Sequence, residues 1–308
     1  MKNHIQVLMS TYNGERYLCE QIESILNQKF EGRDWCVTLL VRDDGSDDNT
    51  VSILEDYSKQ GKLTYISGEH KGSERSFWEL ICKADSADWY ALSDQDDVWF
   101  EDKLQCALEH MDTEDFEIPL LYCSEVMDTD DVLDIKMRKK APLPFLDFPH
   151  ALIYSKAAGC TFVFNEPAKD LLRMYDMDRY GVFMHDWHID KIVSLFGKVI
   201  FDPKSHMYYR QHRHNVIGRK GFDFMSTVDR IFRFLHGEAK VRSEAAVAIA
   251  KAYGRLLPGN CRNRKYLIEV AQYRKSWKKT KVFLFDPDFR TGTKQDIFLF
   301  FLILLRML

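Results

Sequence analysis

The sequence predicts an α/β fold: an open, mostly parallel β-sheet with helices on both faces, followed by a C-terminal helical extension. Short apolar, strand-like runs alternate four times with segments of helical periodicity between residues 5 and 111. Polar clusters follow the first, second and fourth of these runs, where open parallel sheets bind their ligands. The 308 residues, 45% of them hydrophobic, are enough for one large domain plus an appendage.

The positions of the apolar residues predict the individual elements. Strands are expected at residues 5–10, 36–41, 62–67 and 90–93. Helices are expected at 15–28, 51–59, 77–84 and 104–111. In the second half, strands are expected at 157–165, 198–203 and 206–212, and a helix at 185–197. After Gly221 the alternation stops and a basic, helix-like sequence takes over.

Three polar clusters lie at the predicted strand ends. They are Thr11, Tyr12 and Asn13 after the first strand, Asp43 and Asp44 after the second, and residues 94–97 after the fourth. A turn that caps the next helix explains residues 45–50, but it does not explain a carboxylate pair at a strand end. A carboxylate in that position can accept the N3–H of a uracil or thymine ring.

The stretch "SDQDD" places Asp94, Asp96 and Asp97 within four positions, between two apolar stretches. Carboxylates this close raise each other's pKa and repel, unless a cation or hydrogen-bond donors lie between them. An acidic helix N-terminus is the alternative explanation. Together with the other two clusters, the pattern favours Mg²⁺ or Mn²⁺ bound to the phosphates of a nucleotide.

Charge is distributed unevenly along the chain. The net charge is −4, but the segment from Glu238 to the end carries +9 and the remainder −13. The acidic remainder does not resemble a nucleic-acid-binding protein, so no nucleic acid partner is expected. Seven cysteines without a C-x-x-C pair indicate reduced thiols of a cytosolic protein rather than disulfides or a zinc site.

The C-terminal residues 297–305 are almost wholly apolar. This run is about half of the ~20 residues that span a bilayer. A core helix, a homodimer contact and an interfacial anchor are the three interpretations. The basic segment before it favours peripheral attachment to an anionic membrane leaflet, and the absence of a visible signal peptide favours the cytoplasmic face.

Three stretches together resemble the family 2 glycosyltransferases with the GT-A fold. They are "VLMSTYNGERYLCEQIESILNQ", "LLVRDDGSDDNT" and "LSDQDDVWFEDKL". The resemblance covers residues 5–218, and the later "HDWHI" and "YYRQHRHNVIG" are most similar to bacterial rhamnosyltransferases that use dTDP-rhamnose. It implies a GT-A domain at 1–220, with a nucleotide-sugar half at about 1–112 and an acceptor half at about 113–220. Residues 221–308 then form the basic helical extension.

The resemblance also implies roles for the donor-side residues. Thr11, Tyr12, Asn13 and Asp44 would hold the nucleotide, and Asp94 would face its ribose or the metal. Asp96 would ligate Mn²⁺ or Mg²⁺ together with His212, for which His214 and His206 are the alternatives and a solvent-facing basic strand is the plain explanation. Arg75 stands where the family usually has Asn-x-Gly. It is expected to contact the donor phosphates, although the sequence departs from the family pattern here.

On the acceptor side, Asp186 in "HDW" matches the catalytic base of the family. A carboxylate here would deprotonate the attacking hydroxyl of the acceptor. As a plain structural alternative, Asp186 caps the helix from Trp187, and both roles are compatible. Trp187 and His185 are expected next to the acceptor sugar.

The resemblance therefore implies a metal-dependent inverting glycosyltransferase that moves L-rhamnose from dTDP-rhamnose to a glycan or lipid-linked acceptor in bacterial cell-surface polysaccharide synthesis. One alternative is a related transferase of UDP-linked glucose, galactose or GlcNAc. A nucleotide-sugar-binding protein without turnover is the second, and a nucleotidyltransferase or phosphotransferase is the third. The base-like Asp186 and the "HDW" motif disfavour these last two.

Overall fold

A computed structural model describes residues 3–32, 34–136, 146–154, 157–212, 239–292 and 295–306. The chain forms two compact units. The first comprises residues 1–144, 157–173 and 184–218, and the second comprises 145–156, 174–183 and 219–308. The second unit thus takes two short segments from within the expected catalytic domain, in addition to the C-terminal extension.

The first unit contains an eight-stranded sheet with the order β3-β2-β1-β4-β7-β6-β8-β5. Its strands are β1 (His4–Thr11), β2 (Cys36–Asp43), β3 (Thr64–Ser67), β4 (Trp89–Ser93), β5 (Val98–Trp99), β6 (Leu120–Thr129), β7 (Val163–Asn165) and β8 (Lys198–Arg210). The pairs among β1 to β4 are parallel, and β6 is parallel to β8, whereas β7 and β5 join the sheet antiparallel. The predicted α/β class is confirmed, with a mixed second half.

Helices flank this sheet. They are α1 (Leu18–Leu26), α2 (Thr50–Lys59), α3 (Ser73–Lys83), α4 (Lys103–Met111), α6 (Glu166–Arg173) and α8 (His185–Phe196). Central strand β1 is buried at Ile5, Val7, Leu8 and Met9, on both faces, as expected for a parallel strand covered on two sides. Helix α1 contributes Leu18, Ile22 and Ile25, which share one helical face, to the same core.

Three details of the second half differ from the sequence prediction. Strand β6 was not predicted, because its ten residues LLYCSEVMDT carry no period-2 alternation. The two strands expected at 198–203 and 206–212 are one bulged strand, β8. Residues 157–165 form a short 3₁₀ turn, Gly159–Thr161, before β7 rather than one strand.

The described helices of the second unit are α5 (Phe148–Ala151), α7 (Met177–Tyr180), α9 (Ala239–Tyr253), α10 (Arg262–Gln272), α11 (Trp277–Phe285) and α12 (Gln295–Leu304). Helix α12 contains the C-terminal apolar run. Its Leu299, Leu302 and Ile303 are buried, whereas Ile297, Phe301, Leu304 and the following Leu305 are exposed. Among the described residues, no helix has the length and apolarity that crossing a bilayer demands.

Candidate functional site

The first part of the site is a set of loops that we call the loop frame, residues 11–15, 43–50 and 68–72. Asn13 adopts a left-handed backbone with φ of 48° and bonds the second loop twice. Its N–H donates to Ser46 Oγ at 2.9 Å, and its Oδ1 accepts the N–H of Asp47 at 2.9 Å. Thr50 Oγ1 accepts the N–H of Gly14 at 2.8 Å. The loops after β1 and β2 are therefore held together by their own side chains.

Asp44 is buried at the centre of the loop frame. Its carboxylate forms an ion pair with the buried Arg42 and accepts the N–H groups of Lys71 at 2.9 Å and Gly72 at 2.8 Å. Gly45 follows with φ of 82°, and a Cβ there would lie 3.0 Å from the backbone nitrogen of His70. Asp44 thus fixes the 68–72 loop against the end of β2, and its oxygens already have several donors.

Tyr12 presents the exposed face of the loop frame. Its side chain is 43% exposed, and its ring lies 4.2 Å from that of His70, measured between centroids. An exposed aromatic pair of this kind offers a surface on which a nucleobase can stack. The main chain of Tyr12 is fixed by Gln95, whose Oε1 accepts its N–H at 2.8 Å and whose Nε2 donates to its carbonyl at 3.0 Å.

Gln95 is the middle residue of "SDQDD" and was not singled out from the sequence. It also accepts the hydroxyl of Thr11 at 2.5 Å. The end of β1 is therefore bonded directly to the loop that carries Asp94 and Asp96. Arg75 lies on the first turn of α3, next to Ser76, whose hydroxyl bonds that of Ser10 at 2.6 Å. All the predicted donor-side residues thus lie at one edge of the sheet.

The second part of the site is the carboxylate cluster, which we define as Asp94, Asp96, Asp97 and Asp186. Asp96 Oδ2 lies 2.6 Å from Nε2 of His212, although 116 positions separate the two in sequence. The His212 ring stacks on Tyr17 with centroids 5.1 Å apart. The structure therefore brings together the two predicted metal ligands. The alternative ligand His214 lies outside the described residues, and His206 lies elsewhere on β8.

Arg210 positions this pair and was missed as a functional residue. Its guanidinium is buried and donates from Nε to the Asp96 carbonyl at 2.8 Å and from Nη2 to Glu20 at 2.5 Å. The backbone N–H of Arg210 also donates to Asp97 Oδ1 at 3.2 Å. The end of β8 is thereby fixed to the aspartate loop, so that His212, two residues on, reaches Asp96.

The other two aspartates of the loop, Asp94 and Asp97, have raised pKa values. Burial, and then the charges of Asp96 and Asp186, raise the pKa of Asp94 to about 7. Burial, and then the charges of Asp96 and Asp94, raise the pKa of Asp97 well above its ordinary value. Asp97 Oδ2 is buried and has no hydrogen-bond partner among the described residues. Close carboxylates with too few donors are the arrangement that a divalent cation relieves.

Lys103, the first residue of α4, was also missed. Its ammonium is buried, donates to the carbonyl of Cys160 at 2.6 Å and lies 3.6 Å from the centroid of the Trp99 ring. Burial lowers its pKa to about 7, against the opposing charges of Asp97 and Asp94. A single buried ammonium beside the two carboxylates Asp94 and Asp97 indicates that the chain itself compensates only part of their charge.

Asp186 lies in the first turn of α8, close to the aspartate loop. The helix begins at His185 with Met184 as its N-cap, so the expected cap role of Asp186 for a helix from Trp187 is corrected. Its Oδ1 still accepts the N–H of Trp187 at 2.6 Å. A Cβ on Gly159 would lie 3.1 Å from the Cβ of Asp186, so a larger residue in the 3₁₀ turn would displace the carboxylate.

His185 and Trp187 differ in exposure. The His185 ring is 7% exposed and stacks on Phe77 with centroids 4.1 Å apart, and burial lowers its pKa. A Cβ on Gly159 would lie 2.8 Å from its Nε2. Trp187 is only half-buried, with the Lys191 ammonium 5.2 Å from its ring centroid. The role of His185 is therefore to pack beneath Asp186. Of the two rings, that of Trp187 is the accessible one.

Comparison with known proteins places this geometry in context. The family model for Glycosyl transferase family 2 matches residues 6–171. The dTDP-rhamnosyl transferase RfbG of Shigella flexneri is 27% identical over 226 residues, which cover 68% of this chain and 73% of that protein. The UDP-Glc:alpha-D-GlcNAc-diphosphoundecaprenol beta-1,3-glucosyltransferase WfgD of Escherichia coli is 28% identical over 107 residues, 35% of this chain and 40% of that protein.

The solved structures support the fold. The TarS 1-349 structure from S. aureus superimposes with a TM-score of 0.58 at 15% identity, over 99% of this chain and 80% of that one. At this level of identity the likeness establishes the fold alone. The GT-A architecture that the sequence resemblance implied is confirmed.

Proposed function

The chain belongs to Glycosyl transferase family 2, and from this premise we propose that it transfers L-rhamnose from dTDP-rhamnose, with inversion, to a glycan or lipid-linked acceptor. The setting would be the synthesis of a bacterial surface polysaccharide. The similarity to a dTDP-rhamnosyl transferase over two thirds of the chain supports the choice of sugar.

The contact between Asp96 and His212 carries the proposal of metal dependence. The two side chains meet at 2.6 Å beside two further carboxylates, and carboxylate oxygens are the ligands that Mn²⁺ prefers. Transferases of this family generally use divalent metals. Asp96 and His212 would hold the ion, with Asp94 beside it. When bound, the ion would neutralise the diphosphate leaving group.

The loop frame would bind the nucleotide. We assign the nucleobase to the exposed ring of Tyr12, and Thr11 and Asn13 would shape the loops around it. Asp44 would act mainly by ordering the 68–72 loop, because Arg42 and two backbone N–H groups already engage its carboxylate. Arg75, on the first turn of α3, would contact the donor phosphates.

Asp186 would act as the general base. Its Oδ1 is held by the N–H of Trp187, which fixes the orientation of the carboxylate. Oδ2 would accept the proton of the acceptor hydroxyl as its oxygen attacks the anomeric carbon and the nucleoside diphosphate departs. Trp187 would stack on the acceptor sugar. A carboxylate in this position is what a binding protein without turnover does not need.

A UDP-linked sugar is the alternative donor. The partial match to a UDP-glucose-dependent transferase favours it. Calorimetric titration of the purified protein with dTDP-rhamnose, UDP-glucose, UDP-galactose and UDP-GlcNAc, each with and without Mn²⁺, separates the two. We expect Mn²⁺-dependent binding of dTDP-rhamnose; preferential binding of a UDP sugar would replace rhamnose by that sugar.

The same titration tests the ligand assignment. Asp96→Ala is expected to abolish the Mn²⁺-dependent part of donor binding. Asp97→Asn is the matched control, because the amide still accepts the N–H of Arg210 and only the charge is lost. Equal loss in both variants, with both folded by circular dichroism, would show that Asp96 is not the distinctive ligand.

We further propose that the second unit contacts an anionic membrane surface. Exposed apolar residues lie on α11 at Trp277, Val282 and Phe285 and on α12 at Ile297 and Phe301. The chain here is basic, with Lys278, Lys279 and Lys281 between the first two of these residues. Apolar side chains surrounded by lysines suit the headgroup region of an anionic leaflet, at roughly 1 kcal/mol for each lysine.

Flotation with vesicles tests this contact. Phe301→Glu should reduce binding to anionic vesicles at low salt and leave donor binding unchanged. Val132→Glu is the control, since Val132 is 73% exposed in the first unit. Equal flotation of the Phe301 variant and the parent would exclude the membrane contact, and a shift from dimer to monomer in that variant would assign the face to self-association instead.

A further inference from the structure

A second group of metal-binding side chains lies apart from the carboxylate cluster, where the start of α4 meets the middle of β8. It consists of Asp102, Cys106 and His206, whose ligand atoms all lie within 4.8 Å of one another. Asp102 precedes α4 and Cys106 follows one helical turn later, so both side chains face His206. No pattern in the sequence indicates this group, because it has no C-x-x-C spacing and 100 positions separate Cys106 from His206.

The contact between His206 and Asp102 is long for a charged hydrogen bond, and the separations within the group are compatible with ligands of one metal ion. Nδ1 of His206 lies 3.5 Å from Oδ1 of Asp102, and Sγ of Cys106 lies 3.6 Å from Oδ2 of Asp102. A charge-assisted N–H···O bond is about 2.8 Å long, so the first contact is long for an imidazolium paired with a carboxylate. Tetrahedral zinc with ordinary bond lengths requires ligand separations of ~3.3 Å for nitrogen and oxygen and ~3.5 Å for sulfur and oxygen.

The hydrogen bonds of His206 point the same way. His206 is 94% buried by its relative exposure of 6%, and its Nε2 lies 3.0 Å from Oδ2 of Asp202. Asp202 is itself held by the hydroxyl of Tyr122 at 3.1 Å and the N–H of Lys204 at 2.8 Å. An imidazole that donates from Nε2 to this fixed carboxylate presents a lone pair on Nδ1 to Asp102 and Cys106. Histidine ligands of zinc are oriented by such a carboxylate.

We propose that Asp102, Cys106 and His206 bind Zn²⁺, with water in the fourth position. Sulfur, nitrogen and carboxylate oxygen together favour zinc over Mg²⁺ or Mn²⁺, which prefer oxygen. The water position is open because Asp102 is exposed. The neighbouring His110 stays outside the ligand set, since its Nδ1 bonds the Cys106 carbonyl at 2.8 Å.

The ion would join α4 to β8 across the sheet edge. Strand β8 continues from His206 to Arg210 and then to His212, the residues that meet the aspartate loop. Zinc in this position would hold the strand that presents His212, and it is separate from the ion proposed between Asp96 and His212.

Cobalt substitution tests the site on the full-length protein. The protein is stripped with a chelator and titrated with Co²⁺, and thiolate-to-cobalt charge-transfer absorption is recorded. We expect one Co²⁺ with this absorption, displaced by an equimolar amount of Zn²⁺. Cys106→Ala should abolish the absorption, and Cys160→Ala, which removes the buried thiol beside Asp94 and Asp97, should retain it. Loss in Cys160→Ala with retention in Cys106→Ala would overturn the assignment, as would no absorption in the parent.

A substitution of the buried His206 would disturb folding, so the ligand set is tested with variants at other positions. Asp102→Ala alters an exposed side chain and should weaken Zn²⁺ binding in competition with a chromophoric chelator. Asp202→Asn should weaken it roughly 10–100-fold, as loss of such an orienting carboxylate does. Glu101→Ala, which removes the neighbouring exposed carboxylate, should leave it unchanged. Unaltered Zn²⁺ affinity in Asp102→Ala would refute the proposed ligand set.

Discussion

The loop frame and the carboxylate cluster lie at the same edge of the sheet, yet their polar groups are treated in opposite ways. In the loop frame, Asp44 accepts bonds from several donors of the protein itself, and Asn13 accepts from the N–H of Asp47 and donates to Ser46. In the cluster, Asp97 keeps a buried oxygen that no described residue bonds, and the pKa of Asp94 is raised to about 7. The frame is complete without a ligand, whereas the cluster is short of positive charge.

This difference distinguishes residues that hold the shape of the site from residues that are left to interact with a cation or a substrate. A saturated carboxylate such as Asp44 contributes mainly to folding, because removing one partner leaves the other buried without compensation. An undersaturated carboxylate costs stability, and such strain is retained where a cation or a substrate supplies what is missing. Substitutions should therefore reduce stability in the loop frame and reduce turnover or metal binding in the cluster.

The largest effect is expected at Asp186, on the cluster side. Asp186→Asn preserves size and can still accept the N–H of Trp187, so folding and donor affinity should change little. The variant lacks the basic oxygen, and loss of a general base costs typically 10²–10⁴-fold in rate. Donor affinity by calorimetry and sugar transfer to a lipid-linked acceptor, measured on one preparation, check this expectation.

The result at Asp186 can also break the comparison. Transfer at the parental rate would make this carboxylate a structural group only. The next candidate along α8 is Asp190, but it is buried and its Oδ1 accepts the hydroxyl of Ser194 at 3.2 Å. Loss of both transfer and donor affinity would place Asp186 on the donor side instead.

An intermediate effect is expected at Asp44, in the loop frame. Asp44→Asn removes one of the two charges that compensate the buried Arg42, the other being Glu79, and we expect a loss of about 3 kcal/mol in the free energy of unfolding. Urea denaturation measures it. Asp47→Asn, at an exposed position of the same loop, should change stability by less than about 0.5 kcal/mol.

The Asp44 variant also decides how this residue serves the nucleotide. If stability is retained while donor affinity collapses, Asp44 binds the base directly, as the sequence resemblance implies. Reduced stability with donor affinity nearly preserved would support its role in ordering the 68–72 loop.

The sequence predicted the parts of the fold that local pattern determines. Strands β1, β2 and β4 are short apolar runs that end in polar turns, and all three are confirmed. Strand β6 escaped prediction because its ten residues, LLYCSEVMDT, neither alternate in polarity nor form one continuous apolar run.

The same distinction applies to the site. Asp96 and His212 were named through the family resemblance rather than from any pattern that links residues so far apart. Gln95, Lys103 and Arg210 were missed because each acts through a contact with a distant element: the end of β1, the 3₁₀ turn and the aspartate loop respectively. Gln95 and Lys103 lie within the stretch LSDQDDVWFEDKL. The non-acidic residues of this stretch were therefore the signal that pointed to them.

The smallest effect for each pH unit, and the sharpest test of the difference between the two regions, is the pH dependence of stability that Asp94 causes. Its pKa rises from 3.8 to about 7 on folding, so the metal-free folded protein holds a proton that the unfolded chain has released between these values. Its contribution to stability is present below pH 4 and is lost as the pH rises towards about 7. The change is at most about 1.4 kcal/mol for each pH unit.

Total stability does not isolate this effect, because the buried His185 and His188 have lowered pKa values and titrate with the opposite sign. We therefore compare the stability of the parent with that of Asp94→Asn in the presence of a chelator. Lys103 titrates near pH 7, so the comparison is made below that range. The variant should gain stability relative to the parent as the pH rises from about 4 to about 7. Saturating Mn²⁺ should reverse the order, because the cation compensates the ionised carboxylate only in the parent. A stability difference that stays constant with pH would mean that Asp94 is already compensated by the protein, like Asp44, and the contrast between the two regions would fail.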